Sequence, residues 1–274
     1  MTFVNAQLVR VSDLLLAPLA GLSPLVVVTG TAFASALLVL AVMRLTSDQP
    51  ALTAAKRRIH AALLEMRLYN DDLPAILRAQ GEALRHNLSY VGLSLVPLLI
   101  TAVPLTFAIA QLQAWYGYAG LTPGAPVVVT AVVDGPRGNG LPHLEADGLD
   151  QQGPPRYFPA LGEVTWRVVP RAAGASTLRI VMPGGAMLEK SLDVAAGDVT
   201  ARRSPVRQRA TLVGQLLYPS EPPLEDTAGV SAIRVPYPDR SLAVFGAGLH
   251  WLYIYVAATF AFVLLLRKPL GVVI

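Results

Sequence analysis

Few residues of this chain have the types and spacing that catalysis, phosphate binding or metal binding requires. Asp71 and Asp72 are adjacent carboxylates, which could act as a general acid and base. Adjacent acids before a Leu-Pro step are more typical of a helix cap, because a carboxylate there accepts hydrogen bonds from the first turn. The run G-P-R-G-N-G at 135–140 lacks dinucleotide spacing and precedes no helix, which favours a flexible loop over a phosphate cradle.

The four histidines, His60, His86, His143 and His250, lack the paired spacing of metal ligands, and the chain has no cysteine. We expect His60 and His86 to cap or solvate helices. His250 falls inside an apolar run, where an ionisable residue is a functional candidate by default. A neutral histidine bonded to a neighbouring helix is the favoured alternative. We therefore expect no enzyme activity, no metal and no cofactor.

Arg202, Arg203, Arg207 and Arg209 form a basic cluster. A solvated strand edge is the favoured interpretation, and a site for a lipid headgroup or a partner is the alternative. The net charge is only +4, and the basic residues are not interleaved with aromatic ones. We therefore expect no specific binding of nucleic acid.

The elements that position these residues are those of a membrane protein. The chain of 274 residues is 53% apolar and 15% charged, whereas soluble domains are about 25% charged. Apolar runs at 24–43, 88–113 and 242–266 predict three transmembrane helices. Two prolines inside the second predict kinks. Residues 1–23 favour an interfacial helix over a signal peptide, and residues 267–274 form a short tail.

Residues 45–87 predict a helical hairpin. Ser47 or Asp48 should cap its first helix, and Asp72 its second. An apolar stripe on each helix should pack against the other: Leu52, Ala55, Ile59, Ala62 and Met66 on the first, and Ile76, Leu77, Gln80, Leu84 and Leu88 on the second. The remaining face carries the basic residues Lys56, Arg57, Arg58, Arg67, Arg78 and Arg85.

The hairpin and the tail are rich in basic residues, which predicts that both lie in the cytoplasm. The N-terminus and residues 124–240 then lie outside the plasma (inner) membrane. Short β-rich runs in 124–240 predict an all-β, sandwich-like extracytoplasmic domain. The runs are P-V-V-V-T-A-V-V, E-V-T-W-R-V-V, T-L-R-I-V-M, M-L-E-K-S-L-D-V and V-S-A-I-R-V. The segment 135–159 lacks periodicity, so we expect a long mobile loop there.

The order of span, basic hairpin, proline-bearing span and third span resembles the Oxa/YidC membrane-insertase superfamily. It is most similar to the short three-span branch of archaea and of endoplasmic-reticulum insertase complexes. The residues that carry the resemblance are T-S-D-Q, K-R-R-I, L-L-E-M-R-L-Y-N-D-D, L-R-A-Q, L-R-H-N and V-P-L-L-I-T-A-V-P. They lie within residues 20–115, and the third span at 242–268 completes the order.

The resemblance implies a polar groove that opens to the cytoplasm and receives a hydrophobic segment, beside a hairpin that meets the incoming chain or the ribosome. Carried over to this chain, the groove residues are Thr31, Ser35, Arg44, Ser94, Thr101 and Thr259, and the basic face of the hairpin is Lys56, Arg57 and Arg58. Two features depart from the bacterial members. Those carry an arginine inside the groove, where Arg44 is at the rim here, and they place their outer domain elsewhere.

Three functions fit these patterns. The first is an insertase-like membrane protein that helps hydrophobic segments enter the bilayer. The second is a membrane anchor for a β-domain that binds a partner protein or glycan outside the cell. The third is an accessory subunit of a transporter or secretion complex. The expected partners are the lipid bilayer, a ribosome or nascent membrane protein, and partner subunits.

Overall fold

The structure, a computed structural model, describes residues 2–69, 71–134, 140–195, 197, 199–225, 229–244 and 246–272. The chain divides into two compact units. The unit that we call the β unit comprises Met1–Val28 and Phe107–Tyr253. The unit that we call the helical unit comprises Thr29–Thr106 and Ile254–Ile274.

Among the described residues, two helices are long and apolar enough to cross a membrane, α2 (Pro24–Thr46) and α4 (Leu73–Tyr116). Within the most apolar 18-residue stretch of each helix, only 33% of α2 and 17% of α4 is buried inside the protein. A core helix of a soluble protein would bury most of such a stretch. These two helices therefore suit a lipid environment, and α4 runs through Pro97 and Pro104 without interruption.

Helix α1 (Thr2–Leu16) is followed by a 3-10 turn (Ala17–Leu19), and α3 (Gln49–Leu68) lies between the two long helices. Both predicted caps are confirmed. The Asp48 carboxylate accepts from the Ala51 N–H at 2.9 Å, and Asp72 accepts from the Ala75 N–H at 3.2 Å. The apolar stripe of α3 is the inward face of that helix, because all its members are buried or half-buried: Leu52, Ala55, Ile59, Ala62 and Met66.

The predicted stripe of the second hairpin helix is wrong for most of its members. Only Ile76 is half-buried, whereas Leu77, Gln80, Leu84 and Leu88 are exposed. The inward face of α4 instead carries Ala75, Ala79, Ala83, His86 and Tyr90. Small alanine side chains allow a helix to approach its neighbours closely, and leucines at the same positions would hold it away.

The β unit contains two main antiparallel sheets. The strands are β1 (Val127–Val133), β2 (His143–Ala146), β3 (Leu149–Gln151), β4 (Arg156–Phe158), β5 (Glu163–Pro170), β6 (Gly174–Val181), β7 (Met187–Val194), β8 (Val206–Gln208) and β9 (Val230–Arg234). One sheet has the order β3-β5-β1-β9-β8, with β4 also paired to β5, and the other has the order β2-β6-β7. A short helix α5 (Leu212–Leu217) follows β8.

One hydrophobic core lies between the two sheets. Alternate residues point inward, such as Val164, Trp166 and Val168 of β5 and Leu178 and Ile180 of β6. This period of two is the pattern that the sequence showed. The five β-rich runs predicted from the sequence are confirmed as β1, β5, β6, β7 and β9.

The expected long loop at 135–159 is wrong where the structure describes it, because β2, β3 and β4 all lie between His143 and Phe158. Residues 135–139, which hold most of the glycine-rich run, are outside the described residues. Each of these strands has three or four residues, too few to show an alternation in sequence.

The third apolar run also differs from the predicted helix at 242–266. Its first part forms a hairpin of β10 (Ser241–Val244) and β11 (Ala247–His250), and helix α6 covers only Trp251–Leu266. Gly246 lies in the turn with a φ of 84°, a conformation that a helix cannot contain. At about 1.5 Å per residue, the 16 residues of α6 span roughly 24 Å, less than the hydrocarbon core of a typical bilayer.

Candidate functional site

Ser35 on α2 and Tyr255 on α6 form a buried contact inside the helical unit. Their hydroxyl oxygens are 2.8 Å apart, and both side chains are buried. Phe33 and Phe262 pack edge to face between the same two helices, with ring centroids 5.2 Å apart. Ser35 is therefore part of the packing between helices, and its hydroxyl is satisfied by a neighbour.

The hydroxyls of Ser94 and Thr101 bond to their own helix. Ser94 Oγ donates to the Tyr90 carbonyl at 2.9 Å. Thr101 Oγ1 donates to the Pro97 carbonyl at 2.5 Å and lies 3.1 Å from the Leu98 carbonyl. Such bonds satisfy a hydroxyl within one helix at membrane depth.

The remaining predicted groove residues lie in different surroundings. Thr31 is half-buried on α2, and Arg44 is exposed in the last turn of that helix. Thr259 lies one turn after Tyr255 on α6, and its Oγ1 is buried. The predicted set therefore mixes hydroxyls with interhelical bonds, hydroxyls with intrahelical bonds and one exposed cation.

The predicted basic face of the hairpin lies off its inward stripe. Arg57 and Arg58 are exposed on α3, and Lys56 is half-buried. Arg78 and Arg85 are exposed on the first part of α4. The hairpin therefore presents several cations to its surroundings.

An exposed apolar surface accompanies these cations. Leu73, Leu77, Leu84 and Leu88 form what we call the leucine face of α4, with exposures of 59% at Leu77 and 62% at Leu84. Their spacings of four and seven residues place them on one side of the helix. Val91 and Leu95 continue the same side into the apolar stretch of α4. Sequence reasoning missed this surface, although the run of alanines at 75, 79 and 83 marked the opposite, packed side.

The basic cluster of the β unit is not a solvated strand edge. The Arg203 side chain is fully buried, and its guanidinium donates to Asp193 at 2.6 Å and to the carbonyls of Tyr118 and Val199 at 2.8 and 2.9 Å. Arg207 bonds the carbonyls of Glu189 and Pro222, and Arg209 pairs with Asp134. The prediction failed because most of the partners lie ten or more residues away along the chain.

Arg202 joins the end of α1 to the end of α4. Its guanidinium pairs with the Asp13 carboxylate, donates to Gln111 Oε1 at 3.1 Å and donates to Ser220 Oγ at 3.2 Å. Burial lowers the pKa of Arg202, and the Asp13 charge opposes that shift. An arginine stays protonated through such a shift, so the contact is an ion pair at neutral pH.

Lys190 occupies an inward position of β7, where the neighbouring inward residues are apolar. Its ammonium has no exposure, and it donates to Glu221 Oε2 and to the Ser204 carbonyl, both at 2.6 Å. Burial lowers the pKa of Lys190, while the Glu221 carboxylate acts to raise it. Nearby, burial raises the pKa of Tyr237 to about 12, and its hydroxyl accepts from the Asp193 N–H at 2.9 Å.

His250 is not within a helix. It ends β11, and its Nδ1 accepts from the Leu252 N–H at 3.3 Å, which caps the first turn of α6. Within the residues that the structure describes, no group of three or more His, Asp or Glu side chains is arranged to hold a metal ion.

No protein-family model matches this chain, no curated protein matches its sequence, and no solved structure matches its fold. The functional argument therefore depends on the geometry of the chain's own residues.

Proposed function

We propose that this chain is an insertase-like, non-enzymatic protein of the plasma membrane that guides hydrophobic segments of other proteins into the bilayer. The leucine face of α4 is the observation that carries the proposal. It lies on a helix that continues into a stretch apolar enough to cross a membrane. An apolar segment bound to the leucine face could therefore move along α4 toward lipid and stay in contact with apolar side chains. Soluble surfaces rarely keep such contiguous apolar patches exposed without a binding partner.

The basic residues beside the leucine face support the same proposal. Arg78 and Arg85 flank it on α4, and Arg57 and Arg58 are exposed on α3. A hairpin of this charge is expected on the cytoplasmic side, where it would meet anionic headgroups or a ribosome with a nascent chain. This orientation agrees with the resemblance to the Oxa/YidC superfamily in the order of elements.

Hydroxyls within the spans would serve this function by lowering the cost of passing polar backbone through lipid. An unsatisfied polar group costs several kcal/mol in hydrocarbon. Because Ser94 and Thr101 use their O–H groups to donate within α4, each oxygen keeps its two lone pairs, which can accept a bond from a client. We assign this role to Thr31, Ser94, Thr101 and Thr259, with Arg44 at the cytoplasmic rim, whereas the Ser35 hydroxyl bonds to Tyr255 and serves the packing between helices.

The test places a photo-crosslinking amino acid at Leu77 or Leu84 of the full chain in membranes. Glu82 is the matched control, because it is exposed on the same helix but on a different side from the leucine face. A ribosome stalled with an apolar nascent segment supplies the client. We expect adducts from Leu77 and Leu84 and few from Glu82.

A double variant, Leu77→Ser with Leu84→Ser, tests function separately from folding. Both side chains are about three-fifths exposed, so their replacement should leave the thermal unfolding temperature nearly unchanged while client capture falls. Equal crosslinking at all three positions, or capture that survives the double variant, would reject the leucine face as the client site.

A further inference from the structure

One strand of the three-stranded sheet is paired along only part of one edge. On that edge of β6, β2 pairs with Leu178–Val181, and no described residue pairs with Gly174–Thr177. On its other edge, β6 pairs with β7 along its whole length. After Ala146 the chain passes to the other sheet, where β3 pairs with β5. Four residues of β6 therefore face an open edge.

The register identifies the free backbone groups. The Met182 N–H donates to the Ala186 carbonyl across the β6–β7 turn at 2.8 Å, so even-numbered residues of β6 direct their N–H and C=O groups toward β7. Ala175 and Thr177 consequently direct theirs toward the open edge. The outward N–H groups of Ser191 and Asp193 on β7 fit the same register, because both bond to side chains beyond that strand.

The opposite edge of this sheet is closed by side chains. Glu221 accepts from the Ser191 N–H at 2.8 Å, Tyr237 accepts from the Asp193 N–H at 2.9 Å, and Arg207 bonds the Glu189 carbonyl. Proteins cover sheet edges in this way to prevent unwanted strand pairing. The edge at Ala175 and Thr177 lacks any such cover among the described residues.

A cavity of about 430 Å³ lies beside the open edge. Its lining includes the small residues Ala172, Ala173, Gly174 and Ser176. Ser176 Oγ is buried and has no hydrogen-bond partner among the described residues. Ser176 has the same parity as the inward residues Leu178 and Ile180, so the part of the cavity that Ser176 lines is on the inward side of β6, whereas Ala175, Thr177 and Arg179 line its other part. An added strand would place alternate side chains into it.

We propose that the open edge of β6 binds an extended segment of another protein, which adds as a strand in the place that β2 vacates. Its backbone pairs with Ala175 and Thr177, and one inward side chain fills the cavity and bonds Ser176. The cavity lining holds two exposed charged residues, Asp147 and Arg179. Arg179 pairs with Glu189, whereas Asp147 has no ion pair among the described residues, which favours a segment with a basic residue at its end. This site belongs to the β unit and does not depend on the proposed insertion function.

A second copy of this chain fits the edge poorly. If two β6 edges paired with each other, each would offer the other only Gly174 and Ser176 on the inward side. Those side chains are too small to fill the cavity. The occupant is therefore a segment that carries a larger inward side chain with a hydrogen-bonding group.

The experiment uses the full chain in detergent and a panel of acetylated, amidated hexapeptides. Each alternates valine and threonine, ends in lysine and has tyrosine, glutamine, phenylalanine or leucine in the middle. Amide hydrogen exchange is measured at Ala175 and Thr177, with Arg179 and Val181 as internal controls because β2 covers them. We expect fast exchange at Ala175 and Thr177 that slows on adding peptide, most strongly with tyrosine or glutamine.

Two variants assign the binding to the edge. Ala175→Pro removes the N–H that points toward the open edge. A strand tolerates this loss where the N–H has no partner, and peptide binding should weaken about tenfold. Ala175→Val keeps the N–H and is the matched control. Ser176→Leu fills the cavity and should abolish the preference for tyrosine and glutamine. Slow exchange at Ala175 and Thr177 without peptide, binding unaffected by Ala175→Pro, or no binding by any peptide would overturn the proposal.

Discussion

At the scale of single residues, the β unit pairs two buried cations with acids from other parts of the chain. Lys190 meets Glu221, Arg203 meets Asp193, and in both pairs the cation has no exposure. A buried ion pair often contributes little net stability, because desolvation offsets the attraction. Removing one partner is costly, however, because the other charge stays buried without compensation.

We predict opposite outcomes for the two halves of the Lys190–Glu221 pair. Glu221→Gln leaves the buried ammonium without a counter-charge and should lower the free energy of unfolding by about 3–5 kcal/mol. Lys190→Met removes the charge and keeps an apolar side chain at an inward position of β7, so its effect should be much smaller. Urea unfolding of the full chain in detergent, followed by the fluorescence of buried Trp166, measures both.

Glu145→Gln is the matched control for that comparison, because Glu145 pairs with His143 at an exposed site. Its effect should stay within about 0.5 kcal/mol. Equal destabilisation by Lys190→Met and Glu221→Gln would show that packing, and not an uncompensated charge, sets the cost.

At the scale of elements, α4 carries three kinds of surface on one helix. Its alanine side packs inward, its leucine face is exposed, and its apolar part holds hydroxyls at Ser94, Thr101 and Thr106 that bond within the helix. Helix α2 differs, because its buried Ser35 bonds to Tyr255 of another helix. Polar groups in spans can therefore be separated into those that join helices and those that do not.

A double-mutant cycle should detect this difference. For Ser35→Ala with Tyr255→Phe we predict a coupling energy of about 0.6 kcal/mol, the average for hydrogen bonds between transmembrane helices. Ser94→Ala, combined with Tyr255→Phe, is the control and should show additive effects, because Ser94 bonds only Tyr90 among the described contacts. Thermal unfolding in one detergent gives all the values, and additivity of Ser35 with Tyr255 would contradict the structural contact.

At the scale of the whole molecule, the basic residues of the hairpin and the charge-balanced β unit lead us to expect opposite sides of the membrane for them. Cysteines at Ala61 or Gln151 test this expectation, because the chain has no cysteine of its own and both positions are exposed. An impermeant thiol reagent on sealed vesicles should label the two positions from opposite sides. Labelling of both from one side would reject the proposed orientation.

Much of the secondary structure could be predicted because its causes are local. The caps at Asp48 and Asp72 depend on a carboxylate three residues before a free N–H. The main strands alternate with a period of two, and the inward stripe of α3 has a helical period. The hairpin of β10 and β11 was missed because its apolar composition matched a span, while the conformation of Gly246 breaks the helix.

The candidate sites were less predictable, because each depends on contacts between distant segments. Composition and hydropathy predicted three apolar helices and a β-rich region, and the structure has two of those helices at full length together with the β-rich region, since these follow from neighbouring residues. Only the tertiary structure decided that α4 packs by its alanines and exposes its leucines. It also decided that Arg203 and Lys190 are buried and that β2 leaves part of β6 open. Burial and sheet pairing are set by which segments meet, and a one-dimensional pattern does not specify that.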